Sequence, residues 1–239
     1  MCKLLDYKII AIARGIDEAH IIPTIQALID GGIKAVELPL SHSSKESYKE
    51  TLNIIKKAHD TFGDKIYLGA GTVLSTKEVE DAARAGAEYM ISPNMNVDVI
   101  KKTKELGKGS MPGALTTTEV VTAYEAGADV VKIFPAGNFG ESYIKALQGP
   151  CDFILYAAVG GVNADNMKSL MEAGYNMVAV GGNLVNKDLV IKEDYQKITE
   201  HLINVMKKAY RINLKIIFYR LLAVKLQACS AVRREACVT

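Results

Sequence analysis

A glycine recurs along this chain wherever a helical segment should stop. Gly32, Gly63, Gly86, Gly107, Gly127, Gly149 and Gly174 follow one another 20 to 31 residues apart, by subtraction of their numbers. Each closes a stretch with helical apolar spacing, and an apolar strand-like stretch follows. Glycine supplies the left-handed cap that a helix C-terminus favours. The phrase around it also repeats: Gly31-Gly32-Ile33, Ala85-Gly86-Ala87, Ala126-Gly127-Ala128 and Ala173-Gly174-Tyr175. A helix–strand unit at this period predicts stacked βα units around a parallel sheet.

The pattern predicts strands near 9–13, 35–38, 67–70, 88–92, 108–111, 130–134, 154–158 and 177–180. Helices are expected near 17–29, 44–61, 76–85, 97–106, 117–126, 142–147, 164–171 and 195–208. Eight alternations in a chain of 239 residues give a single-domain (β/α)₈ TIM barrel over residues 1–209. A doubly wound sheet would carry a glycine-rich dinucleotide turn after its first strand, and Ala13-Arg14-Gly15-Ile16 is not one. Residues 210–239 do not fit the repeat. Apolar runs such as Ile216-Ile217-Phe218-Tyr219 alternate there with basic residues, so the segment is a docking helix or sequence left over from expression.

The net charge is +2, but Arg211, Lys215, Arg220, Lys225, Arg233 and Arg234 face only Glu235 in the tail. The body is therefore mildly acidic, which argues against a nucleic-acid partner. The four cysteines form no CxxC pair and no disulfide framework, as expected of a cytoplasmic protein. No signal segment and no membrane-spanning run is evident.

In a barrel of this kind, reactive groups lie at the C-terminal ends of strands and in the loops beyond. Two charges sit inside apolar strands. Lys132 lies in Asp129-Val130-Val131-Lys132-Ile133-Phe134-Pro135, and Glu37 in Val36-Glu37-Leu38-Pro39. A strand covered on both faces buries its lysine, which lowers the pKa and gives a neutral amine able to form a Schiff base. The second and sixth strands lie across the ring from each other, so both side chains can meet at its mouth. Burial there raises a carboxylate's pKa and suits it to shuttle protons. A purely structural Glu–Lys pair fits the same pattern.

Other polar positions cluster at the strand ends: Arg14 after the first, Gly69-Ala70-Gly71-Thr72 along the third, and Ser92-Pro93-Asn94 after the fourth. Gly160-Gly161 and Gly181-Gly182-Asn183 follow the last two strands, where barrels often hold a phosphate on backbone N–H groups. Of the four histidines only His42 falls near the expected mouth, so neither a catalytic metal nor a cofactor is expected.

Gly69-Ala70-Gly71-Thr72-Val73, Ile91-Ser92-Pro93-Asn94, Val131-Lys132-Ile133-Phe134-Pro135-Ala136, Tyr143-Ile144-Lys145-Ala146-Leu147 and Val159-Gly160-Gly161-Val162 together carry a resemblance. From about residue 9 to 185 the chain resembles the 2-keto-3-deoxy-6-phospho-sugar-acid aldolases. These are class I aldolases of the gluconate and galactonate type, with 4-hydroxy-2-oxoglutarate aldolase activity in some members. The resemblance implies a metal-free homotrimer with Lys132 as the Schiff-base lysine and Glu37 as the general acid/base. It sets Thr72 and Pro93 against the pyruvate portion, with Phe134 and Val159 as further substrate contacts. Arg14, Gly160, Gly161, Gly181, Gly182 and Asn183 would hold the rest of the substrate and its phosphate. Ser41 stands where the gluconate branch has an arginine, and Val159 where it has a threonine. Both, with Ala13-Arg14-Gly15-Ile16, resemble the galactonate branch.

The implied reaction is reversible cleavage of a phosphorylated keto acid to pyruvate and glyceraldehyde 3-phosphate. The same chemistry on 4-hydroxy-2-oxoglutarate, giving pyruvate and glyoxylate, is one alternative. A phosphate-binding barrel isomerase or synthase is another, and a non-catalytic binding barrel a third.

Overall fold

The computed structural model describes residues 3–210. The expected tail, and the question of its role, lie outside them. Among the described residues there are nine strand segments, with a helix after each except β5: β1 Ile9–Ile12, β2 Ala35–Pro39, β3 Tyr67–Gly71, β4 Tyr89–Ile91, β5 Gly109–Met111, β6 Gly113–Ala114, β7 Val131–Ile133, β8 Tyr156–Val159 and β9 Met177–Val180. Every strand pairing is parallel, in the order β5-β4-β3-β2-β1-β9-β8-β7-β6.

The two outer members of that order, β5 and β6, are one barrel strand interrupted at Pro112, where eight unbroken strands were expected. Proline has no N–H to give to the ladder. Its carbonyl still accepts from Lys132 N at 2.9 Å, and the Ser110 carbonyl accepts from Val130 N at 3.3 Å. These bonds close the ring, and the result is the expected α/β barrel.

The helices are α1 Ile21–Asp30, α2 Lys45–Phe62, α3 Thr76–Arg84, α4 Val97–Glu105, α5 Thr117–Glu125, α6 Gly140–Cys151, α7 Met167–Ala173, α8 Lys187–Ile191 and α9 Tyr195–Tyr210. Ser44, Ser75, Asn96 and Thr116 cap α2 to α5 with side-chain oxygens. Six of the seven recurring glycines have positive φ at or just beyond a helix end. After five of them the next residue donates back to a carbonyl five positions earlier, as in Ile33 N to Leu28 O and Ala87 N to Ala82 O. That is the Schellman closure which glycine permits.

Gly149 is the exception: it lies inside α6, which runs on to Cys151. The first helix starts at Ile21 rather than 17, because the Asp17 carboxylate captures the backbone N–H groups of Ala19 and His20 in a turn. Helix α8, a five-residue piece, was not expected.

Two apolar cores follow from strand alternation. One fills the space between ring and helices. The other lies inside the ring and includes Leu4, Ile10, Tyr67, Tyr89, Met111 and Met177. Tyr7 stacks on Tyr67 at 5.4 Å, and Tyr67 meets Tyr89 at a tilt with ring centres 4.8 Å apart, closing the N-terminal end of the ring. The C-terminal end is left for the site.

Candidate active site

Glu37 and Lys132 project into the ring from β2 and β7, four strands apart in either direction. Both are buried, at 2% and 7% exposure. Among the described residues neither has an ion-pair partner within 4.0 Å. They are nonetheless within electrostatic reach of each other. Burial pushes the Glu37 carboxyl up from its usual 4.5, against the pull of Lys132 and Arg14. Burial pushes the Lys132 ammonium down from 10.5, opposed by Glu37 and assisted by Arg14. A closed ion pair would cancel much of both shifts, so the geometry favours two poised groups over a structural pair.

Small residues make the room. A Cβ on Gly71 would lie 1.7 Å from Glu37 Oε1, and a Cβ on Gly69 would lie 2.2 Å from the Tyr89 ring. The Gly69-Ala70-Gly71 phrase on β3 thus admits the carboxylate of one neighbouring strand and the aromatic ring of the other. Glu37 Oε2 is buried without a hydrogen-bond partner, and so is the Tyr89 hydroxyl. An acceptor left open in a dry interior is costly unless a bound group completes it.

The other sequence-predicted residues gather at the same mouth. Thr72, directly after β3, has φ of +57°. This left-handed backbone is a strained one for a β-branched residue. Pro93 is half-buried on the next loop. Ser92 before it donates from Oγ to Val73 O at 2.6 Å and ties the third loop to the fourth. Phe134 is 41% exposed, with Lys132 Nζ 4.7 Å from its ring centre. Its ring lies where a Cβ on Gly160 would be, at 2.9 Å. Val159 is buried on the inner wall.

Gly160 and Gly161 have φ of +82° and +72°, and Gly161 lies against the Gly137 backbone. Gly181 and Gly182 border open space, with only Ile12 at 3.9 Å from a Cβ on Gly181. Asn183 uses its side-chain amide to donate to Val162 O at 3.0 Å, joining the last two loops. Arg14 is exposed at the mouth, over a pocket of ≈320 Å³ that also meets Gly182, Val185 and Lys187. Sequence reasoning missed Ser92 as a loop tie, Tyr89 as a neighbour of Glu37, and Lys187 altogether. Only Ser92 left a signal, through its place in the Ser92-Pro93-Asn94 phrase. His42 contacts Glu78 at 3.3 Å. Among the described residues, no group of three or more His, Cys, Asp or Glu is placed to hold a metal ion.

The family model for KDPG and KHG aldolase matches residues 2–201. This chain belongs to that aldolase family. It is 37% identical over 205 residues to the 2-dehydro-3-deoxy-6-phosphogalactonate aldolase of Escherichia coli K12, covering 85% of this chain and 94% of the relative. It is 31% identical to the 2-dehydro-3-deoxy-phosphogluconate aldolase of Pseudoalteromonas atlantica, covering 77% and 83%. Among solved structures, a native KDPGal structure superposes with a TM-score of 0.76 at 34% identity, covering 89% of this chain and all of that one. Sequence family and barrel geometry therefore agree on a lyase of the aldolase class. No helix among the described residues is long and apolar enough to cross a membrane.

Proposed function

We propose that this chain is a class I aldolase that reversibly cleaves a 2-keto-3-deoxy-6-phospho-sugar acid to pyruvate and glyceraldehyde 3-phosphate. The observation that carries the reading is the buried, unpaired amine and carboxylate facing each other across the barrel mouth. Lys132 Nζ attacks the C2 ketone, and loss of water leaves an iminium. Glu37, directly or through one water, takes the C4 hydroxyl proton as the C3–C4 bond breaks. The bond's electrons move into the iminium, the aldehyde departs, and an enamine remains on Lys132. Protonation at C3 and hydrolysis then give pyruvate and restore the amine. No metal or cofactor enters the scheme.

Thr72 and Pro93 line the pyruvate portion, Phe134 covers the amine, and Val159 faces the C4 region. Arg14 and the glycine backbone at 160, 161, 181 and 182, with Asn183 bracing the last loop, receive the phosphorylated end. The galactonate-type epimer is the preferred substrate. This is supported by Val159, which offers no hydroxyl, and by the higher identity to the relative named for phosphogalactonate. We assign a homotrimer in the cytoplasm. Support for the assembly comes from the exposed aromatic pair Tyr124 and Phe153, 5.2 Å apart and 44% and 56% exposed.

The test is borohydride reduction in the presence of pyruvate followed by peptide mass analysis. A reduced pyruvyl adduct on Lys132 is expected. An unmodified Lys132 under conditions that support turnover would overturn the mechanism.

A further inference from the structure

The pocket beside Arg14 holds a cation that the aldolase chemistry does not use. Lys187 is the first residue of α8, and it reaches back over the β1 loop. A Cβ on Gly15 would come within 2.8 Å of its Nζ. Gly15 itself has φ of +64°, the left-handed backbone that glycine permits. Arg14, after β1, and Lys187, at the start of α8, thus line the same ≈320 Å³ pocket, with Gly182 also in its lining.

Neither cation has a carboxylate within 4.0 Å among the described residues. Asp188 also lines the pocket, and it too stands apart from both cations. Arg14 acts electrostatically on both Glu37 and Lys132, so it lies on the side of the reacting atoms. Lys187 is not among the causes of either shift. Two cations over one pocket, neither held by a carboxylate, match a substrate with an anion at the end remote from its ketone.

We propose that Lys187 is a specificity-determining residue that binds the phosphate of the substrate by its side chain, together with Arg14. The assignment rests on the aldolase reading above and deepens it: Lys187 adds to the preference for phosphorylated substrates over their unphosphorylated analogues. Recognition is by a point charge with three donors, well suited to a phosphate oxygen. Because the site is exposed, the charge is partly screened, and the effect is of the order of tenfold.

The experiment compares kcat/KM for the 6-phosphorylated keto acid and for 4-hydroxy-2-oxoglutarate in the full chain and in K187Q and K187R. K187Q is expected to lower the phosphorylated value about tenfold, mainly through KM, while changing the unphosphorylated value less than about twofold. K187R restores most of the loss. A second arm titrates inorganic phosphate into wild type and K187Q by calorimetry, which does not depend on turnover. Weaker phosphate binding in K187Q is expected. Equal losses on both substrates, or phosphate binding unchanged by K187Q, would overturn the proposal. Failure of pyruvate trapping in the wild type would instead overturn the aldolase reading, and the phosphate arm would still judge Lys187 alone.

Discussion

Replacing Gly71 by alanine should separate activity from stability. The new Cβ would lie 1.7 Å from Glu37 Oε1 and 2.5 Å from its Cδ, where ordinary contact begins at 3.4 Å. The carboxylate must therefore withdraw by about 1.7 Å, the difference of the two distances. A displacement of about 1 Å in a reacting group can cost on the order of 10²-fold in rate. Gly71→Ala should lower kcat by about 10²-fold or more. The steric cost falls on the end of a side chain rather than on backbone, so overpacking costs only about 1–3 kcal/mol. In a domain of this size that lowers Tm by roughly 3–10 °C. Lys132 is untouched, so the end-point yield of the reduced pyruvate adduct should match wild type. Steady-state kinetics, calorimetry and adduct mass on the same preparation make the test. A kcat within about threefold of wild type would refute the reasoning, because the carboxylate would then not need its place above Gly71. Loss of the adduct in a folded Gly71→Ala protein would refute it as well.

The remaining predictions concern charge, strain and epimer choice. Glu37 has a folded pKa above 4.5, so its contribution to stability is full below 4.5 and is lost as pH rises through the folded value. Glu37→Gln should therefore gain in Tm relative to wild type as pH rises, with no gain at the acid end. In the proposed mechanism turnover needs Glu37 ionised and Lys132 neutral, so kcat/KM should fall as pH drops, with its acid limb above the ordinary carboxylate range; a limb near 4.5 would exclude Glu37 as the base. Thr72→Gly releases the positive φ while Thr72→Ala retains it, so the glycine variant should be the more stable by about 1 kcal/mol, and equal melting curves would dismiss the strain. Val159→Thr places a hydroxyl on the buried wall. It should raise relative activity on the gluconate epimer about fivefold or more, and an unchanged epimer ratio would remove Val159 from the C4 contact.

Much of this was legible in the chain because the governing signals are local. A glycine after an amphipathic stretch sets a Schellman closure within six residues, and Gly32, Gly86, Gly107 and Gly127 behave so. Gly149 misled because a Cβ there would meet nothing within 4 Å, and the helix carries it through to Cys151 at only about 1 kcal/mol relative to alanine. The break at Pro112 follows from chemistry visible in the sequence, but which neighbour lends the missing ladder bond depends on ring closure. Glu37 and Lys132 stood out as charges in apolar strands. The fit of Gly71 over the carboxylate did not, because it joins residues from two strands whose register only the folded ring sets. Lys187 left no trace, since a five-residue helix is too short to show a period.

The packed tyrosines at the base of the ring make the reaction chamber a dead end. Whatever enters must leave by the doorway it came through, and the pyruvyl fragment stays tethered at the inner position until water reaches it. The aldehyde therefore goes first and the keto acid last. In the reverse direction pyruvate must load before its partner, an obligatory sequence that product-inhibition patterns would reveal.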